Sequence, residues 1–188
     1  MSSPGDIVPD SKDWTWVLDR PCPECGVDVS AVDRADLGPL ILENATSWQQ
    51  VLAHPEATRR PEPTVWSPTV WSPTEYAAHV RDVHRMFSGR VALMLAEDDP
   101  TFANWDQDET AIAERYDLQQ PAQVAPELLA AAEEVAAAYD SVAGDDWERR
   151  GTRSNGSVFT VESLGRYHLH DVVHHLWDVR WVAAESSG

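Results

Sequence analysis

Basic residues are scarce. Lys and Arg number 14 against 32 Asp and Glu, a formal charge of −18. A surface of that sign repels phosphate backbones, so no nucleic-acid partner is expected. Long apolar runs are missing too. No stretch approaches the roughly 18 to 20 residues that cross a bilayer, so no membrane partner is expected either. The opening residues, MSSPGDIVPDSKDW, have neither the basic nor the apolar part of a secretory signal, and a soluble cytoplasmic protein is the expectation. Strand-like alternation of apolar and polar residues is nowhere sustained. Cysteine is limited to Cys22 and Cys25, in the run CPECG. A CxxC pair is half of a zinc site or a redox motif. No second CxxC completes a four-cysteine set, and thioredoxin-like chemistry would need a βαβ context that this region lacks. Three readings stay open for the pair: a tight turn with adjacent thiols, a disulfide, or a zinc ion completed by a distant histidine.

What the chain does have is helical periodicity. Its 188 residues fit one folded domain with a sizeable core. Residues 1–29 read as a polar tail and a CxxC-containing arm, and residues 30–188 as a helical domain. From about Asp33 to His54, Leu37, Ile41, Ala45, Trp48 and Leu52 recur at helical spacing. A proline-rich connection follows, in which VWSPT is written twice. Ser72-Pro73-Thr74-Glu75 then carries a capping box with proline at the first helical position. The buried stripe of that second helix, Tyr76, Val80, Val83, Phe87, Val91 and Met94, includes His79 and has His84 at its margin. Residues 97–120 are acidic, with a short helix expected near Asp108–Tyr116. Within them Asn104, Trp105, Asp106 and Gln107 suit recognition of a polar ligand, or else form a solvated acidic loop. An alanine-rich helix spans about Pro121–Ala143, and Thr160 caps the last. Four long helices without strands predict an all-α four-helix bundle with an irregular N-terminal arm. Its long connectors can cross over, so the expected order is up-down-down-up, with simple alternation beside it.

The last helix concentrates the chemistry. TVESLGRYHLHDVVHHLWDVRWV (160–182) holds four of the seven histidines. His170 and His174 stand four apart, which puts both imidazoles on one face at about 5–6 Å between Cβ atoms. Two imidazoles so placed can share a metal ion, or can simply form a polar seam. Trp177 and Trp181 continue that strip and would wall a site or fill core. Asp171 and Asp178 would orient ligand imidazoles or serve as solvated helix charges. His168 and His175 turn away by roughly 100–160° and are expected to meet solvent. A third ligand, His79 on the second helix, can face the pair.

His79 together with the His-x-x-x-His pair resembles the DinB/YfiT-like metal-binding four-helix bundles over about residues 30–184. More narrowly, WSPTEYAAH, FANWDQDET and LHDVVHHLWDV resemble an actinobacterial branch related to mycothiol-dependent maleylpyruvate isomerases. The resemblance implies a divalent metal, zinc or nickel with iron as a further candidate, held by His79, His170 and His174. It also implies a cytoplasmic protein, often a homodimer. In this superfamily the first histidine of the pair is often followed by His at i+3 and i+4. Here His174 and His175 fall at i+4 and i+5.

Members of the superfamily include thiol S-transferases and thiol-dependent isomerases. The expected function is therefore attack on an electrophilic substrate by a low-molecular-weight thiol of the mycothiol type, bound as thiolate at an open metal position. Two other readings stand beside it. One is a bundle that binds metal without turnover, and the other a three-histidine iron centre for oxygen chemistry.

Overall fold

Side-chain caps mark where several of the helices start. The structure, a computed structural model, describes residues 14–61 and 70–180. The first VWSPT copy and Trp181 lie outside the described residues. Helix α1 runs Leu37–Leu52, α2 Pro73–Ala96, α3 Gln107–Ala113, α4 Pro121–Asp140 and α5 Val161–Asp178. At α2 the Ser72 hydroxyl accepts from the Glu75 N–H at 3.3 Å, and the Glu75 carboxylate accepts from the Ser72 N–H at 2.8 Å. Arg60 donates to the same buried carboxylate. At α5 the capping box uses Ser163 in place of an acidic residue: Thr160 Oγ1 accepts from the Ser163 N–H at 3.1 Å, and Ser163 Oγ from the Thr160 N–H at 2.9 Å. Each cap satisfies amide donors that a helix start leaves without partners.

Helix α4 packs along both α1 and α2, and α5 packs against the same two helices. The alanine-rich face of α4 permits this, because Ala131, Ala132 and Ala136 are buried without bulk. Close approach is enforced at two glycines. A Cβ on Gly38 would lie 2.7 Å from Asp140 Oδ1, and one on Gly165 would lie 2.7 Å from Leu37 Cδ1. Core aromatics and aliphatics, among them Trp48, Phe87, Leu128 and Leu164, are essentially inaccessible. Each is worth roughly 1.5–3 kcal/mol of burial. Among the described residues, no helix is long and apolar enough to cross a membrane.

The structure corrects the all-α expectation in one respect. A small sheet is present, in the order β1 (Thr101–Phe102), β2 (Arg150–Arg153), β3 (Val158–Thr160). β1 pairs parallel with β2, Thr101 opposite Thr152, and β2 pairs antiparallel with β3, Gly151 opposite Phe159. Strands of two to four residues are too short to show alternation. The sheet ties the connector after α2 to the one before α5. Asn104 thereby reaches Ser154, its N–H donating to Oγ at 2.8 Å. The described part of the N-terminal arm forms only short 3₁₀ turns and packs on α5, where Arg166 donates to the Val32 carbonyl at 2.9 Å.

A second correction concerns histidines. His168 does not meet solvent: it is fully buried beside His84. His84 Nδ1 lies 3.0 Å from His168 Nε2, and the Tyr139 hydroxyl lies 3.1 Å from His168 Nδ1. This chain of polar groups crosses the core from α2 through α5 to α4, with the His168 ring stacked on Phe87. Rotational arithmetic placed His168 off the apolar face, but a buried imidazole is accommodated when its nitrogens find partners. Burial pushes His84 down to about 3, and burial followed by the neighbouring His84 pushes His168 well below its ordinary value.

A pH dependence of stability follows from the sign of these shifts. Both folded-state values lie below the unfolded value of about 6.5, so below that pH the unfolded chain binds protons that the folded chain refuses. This contribution is complete above about pH 6.5 and is lost as pH falls toward the folded values. Each histidine contributes a slope on the order of 1 kcal/mol per pH unit within that window. Thermal melts from pH 7.5 down to 4.5 should show the melting temperature falling below about pH 6.5. His84→Gln should flatten that fall, and an unchanged slope in the variant would remove the pair as its source.

Candidate metal centre

Helix α5 presents two overlapping i,i+4 pairs, one residue out of register. Residues His170 and His174 form one; Asp171 and His175, turned by about 100°, form the other. The bundle sends them to different places. Asp171 and His175 face His79 on α2, and their ligand atoms lie within 4.8 Å of one another. His170 and His174 face the N-terminal arm and group with Cys22 and Cys25.

In the first cluster, His79 Nε2 is 3.8 Å and His175 Nε2 is 3.9 Å from Asp171 Oδ2. His79 is 1% exposed, and among the described residues neither of its ring nitrogens has a hydrogen-bond partner. Burial first, and His175 second, hold its pKa well below the ordinary value, so the imidazole is neutral with a lone pair to offer. His175 Nδ1 lies 3.0 Å from Asp178 Oδ2. An ionised carboxylate only accepts, so Nδ1 carries a proton in this contact, and the ring's Nε2 faces the cluster. Aromatic rings hold the imidazoles in place. Trp105 stacks on His79 at 5.2 Å between centroids, Trp71 lies 5.3 Å from the same ring, and Tyr76 lies 5.3 Å from His175. Two imidazoles and a carboxylate, with neither His79 nitrogen hydrogen-bonded among the described residues, fit a divalent cation of the zinc, nickel or iron type.

A cleft of about 100 Å³ opens beside this cluster. His79 and Asp171 line it, with Asn104, Trp105 and Gln107 from the connector. Asp106, read with them from sequence, does something else. Its carboxylate caps α3 by accepting from the Asp108 and Glu109 N–H groups at 3.0 and 2.9 Å. The cleft also contains Arg90 and Arg153. Arg90 donates to the Ala103 carbonyl at 3.0 Å and lies over the Phe102 ring at 4.7 Å. Arg153 donates to Asn155 Oδ1 and Ser157 Oγ. Among the described residues neither forms an ion pair with a carboxylate. Burial, and then the charge of Arg153, pull Arg90 down to about 10. Two arginines without acidic partners stand out in a chain with an excess of 18 negative charges.

The second cluster sits on the other side of α5. Cys22 Sγ lies 3.7 Å from His174 Nδ1. His174 Nε2 lies 3.8 Å from both Asp178 Oδ1 and Glu24 Oε2. Trp14 covers His170 and His174 at 5.4 and 4.9 Å, and Trp177 lies 5.5 Å from His174. Trp177 thus belongs to this cluster and not to the cleft. A larger groove of about 410 Å³ near Leu52 and Pro121 has no ionisable side chain in its lining.

The expected triad of His79, His170 and His174 is therefore divided, and His175, expected at the surface, stands beside His79. The cause is register. One residue along α5 rotates a side chain by about 100°, and the His-His doublet leaves the choice between two i,i+4 pairs to the packing of α5. Asp171-x-x-x-His175 was legible as a ligand pair, since a carboxylate binds such metals as readily as an imidazole. Arg90 left a weaker trace, an arginine three residues after Phe87 on the inward side of α2. Arg153 left none, because its position depends on the sheet.

A comparison with curated proteins found no match. Among solved structures, the fold is similar to that of YfiT from Bacillus subtilis, described as a probable metal-dependent hydrolase with an unusual four-helix bundle topology. The TM-score is 0.70 at 16% identity, with 82% of this chain and 87% of that chain covered. At that identity the likeness speaks for the fold. The chain also matches the DinB superfamily over residues 40–179, a span that takes in His79, Asp171 and His175 and leaves the CPECG arm outside. With that match running from within α1 to the end of α5, over most of its length, the chain belongs to the DinB superfamily.

Proposed function

We propose that the protein is a metal-dependent thiol transferase or isomerase, acting with a low-molecular-weight thiol of the mycothiol type on a small anionic electrophile. The observation that carries this reading is the convergence of His79, Asp171 and His175 at a cleft that also holds Arg90 and Arg153. A divalent cation bound there would supply the positive charge that keeps a thiol deprotonated at neutral pH. His79 offers a neutral nitrogen, and Asp178 orients the His175 ring through its Nδ1. Arg90 and Arg153 would bind the anionic group of the substrate by charge-assisted hydrogen bonds. Asn104 and Gln107 would contact its polar groups, while Trp105 shields the imidazole from water. Cys22 and Cys25 lie at the other cluster, so the nucleophile is external. This reading places the protein in the mycothiol-dependent isomerase branch, as a cytoplasmic homodimer with up-down-down-up helices.

Hydrolysis is the second reading, favoured by the description of the Bacillus subtilis neighbour. The same ligands would then serve a water nucleophile.

Two outcomes test the site. His79→Ala and Asp171→Ala should each lose a full equivalent of bound metal by elemental analysis and all thiol-dependent turnover, whereas Asp106→Ala keeps both. A metal content equal to that of the wild-type protein in both variants would sink the ligand assignment. Turnover that needs metal but no thiol would replace transfer by hydrolysis. Separately, Arg90→Met and Arg153→Met should each raise KM for anionic substrates roughly ten- to a hundredfold, with little change for neutral analogues. Equal effects on both substrate types would show that the arginines only support the fold.

A further inference from the structure

We propose that Cys22, Cys25, His170 and His174 form a second metal site, a closed structural zinc centre that fastens the N-terminal arm to α5. It is independent of the reading given to the cleft. The CPECG turn is built to present two sulfurs together. The Cys22 N–H donates to the Val27 carbonyl and the Gly26 N–H to the Cys22 carbonyl, each at 2.9 Å. Gly26 closes the turn at φ +78°, a conformation that side-chain-bearing residues rarely adopt. On α5 the i,i+4 spacing supplies two imidazoles to the same point.

The spacing is compatible with a tetrahedral N₂S₂ set. All four ligand atoms lie within 4.8 Å of one another, and Cys22 Sγ is 3.7 Å from His174 Nδ1. With Zn–S of about 2.3 Å and Zn–N of about 2.0–2.1 Å, a tetrahedral centre has an S···N edge of roughly 3.6 Å. Burial points the same way. Cys22, His170 and His174 are 1%, 3% and 7% exposed, and among the described residues His170 Nε2 has no hydrogen-bond partner. A buried imidazole nitrogen left so is costly in a folded core, and a metal bond satisfies it. The outer groups are also in place. His174 directs Nδ1 at the sulfur and Nε2 toward Asp178 and Glu24, the carboxylate–imidazole–metal arrangement that fixes a ligand's tautomer. On binding, each thiol loses its proton to solvent, and two thiolates with two neutral imidazoles neutralise the dication. Four protein ligands leave no open position, which marks a structural centre and not a catalytic one.

The site also explains how the arm is held. Residues 14–36 contain only 3₁₀ turns. Such a segment gains most from a cross-link that exists only in the folded state. A Cys22–Cys25 disulfide would instead leave His170 Nε2 as it is and join the arm to nothing.

The test uses the full chain purified under reducing conditions, with zinc and cobalt(II) as probes. Elemental analysis should give a zinc equivalent that survives His79→Ala and is lost in the Cys22→Ser/Cys25→Ser double variant. Should that variant fail to fold, the wild-type protein decides. Cobalt(II) replacing the zinc should show sulfur-to-cobalt charge-transfer bands with tetrahedral d–d absorption, and a thiol-specific mercurial should release the metal in step with cysteine modification. Chelation should lower the melting temperature of the His79→Ala protein by several degrees. Zinc retained when the double variant is made on the His79→Ala background, a cobalt spectrum without the sulfur band, or a Cys22–Cys25 disulfide with no zinc uptake after reduction would overturn the proposal.

Discussion

An imidazole taken out of water must find a partner for each nitrogen or lose more than its burial returns. Helix α5 puts four histidines under that constraint, and the rest of the structure meets it. His168 is served by His84 and Tyr139, so α2 and α4 must lie where they do. His175 is served by Asp178 and faces Asp171 and His79. His174 is served by the arm and by Asp178. Among the described residues, His79 Nδ1 and Nε2, His170 Nε2 and His84 Nε2 find no hydrogen-bond partner, and of these imidazoles His79 and His170 stand in clusters of potential metal ligands. Neutrality of the buried imidazoles follows from the same constraint, because desolvation is the largest cause of every histidine shift.

The remaining elements put chemistry around this helix. The small sheet contributes little area, yet it joins two connectors far apart in sequence and so delivers Asn104 and Arg153 to one cleft. Gly151 permits this, since a Cβ there would lie 2.8 Å from Met94 Cγ and from the Phe102 ring. Its close packing lets β2 lie against the end of α2, where Arg149 donates to the Met94 and Glu97 carbonyls. These last carbonyls of a helix otherwise lack partners.

Legibility from sequence follows the range of the interaction involved. Helix starts were legible because caps act over three residues, as at Ser72 and Thr160. The inward position of His79 was legible because α2 carries an unbroken apolar stripe. The rotation of α5 was not. Its apolar residues occupy most of the circumference, and the doublet His174-His175 lets either pair face inward with similar periodicity. The sheet was hidden for a different reason: β1 pairs with β2 across about fifty residues, and all three strands, the β2–β3 hairpin included, are too short to leave a pattern. Asn104, Trp105 and Gln107, read as one group with Asp106, line the cleft together, whereas the Asp106 carboxylate is bound to the amides of α3. The position after an irregular loop and just before a helix is where an aspartate is favoured as a cap.

Asp178 gives the two clusters a common support. One of its oxygens accepts from His175 Nδ1 at 3.0 Å, and the other lies 3.8 Å from His174 Nε2. A single carboxylate in the last turn of α5 thus orients an imidazole of each cluster. Because the two pairs are offset by one residue on a stiff helix, any rotation of α5 that spoils one cluster spoils the other. Fastening the arm to His170 and His174 therefore also fixes the direction in which Asp171 and His175 point. The site in the cleft owes its geometry to α2 on one side of α5 and to the arm on the other. This gives the CPECG segment, which lies outside the matched superfamily span, a physical reason to be part of the same folded unit.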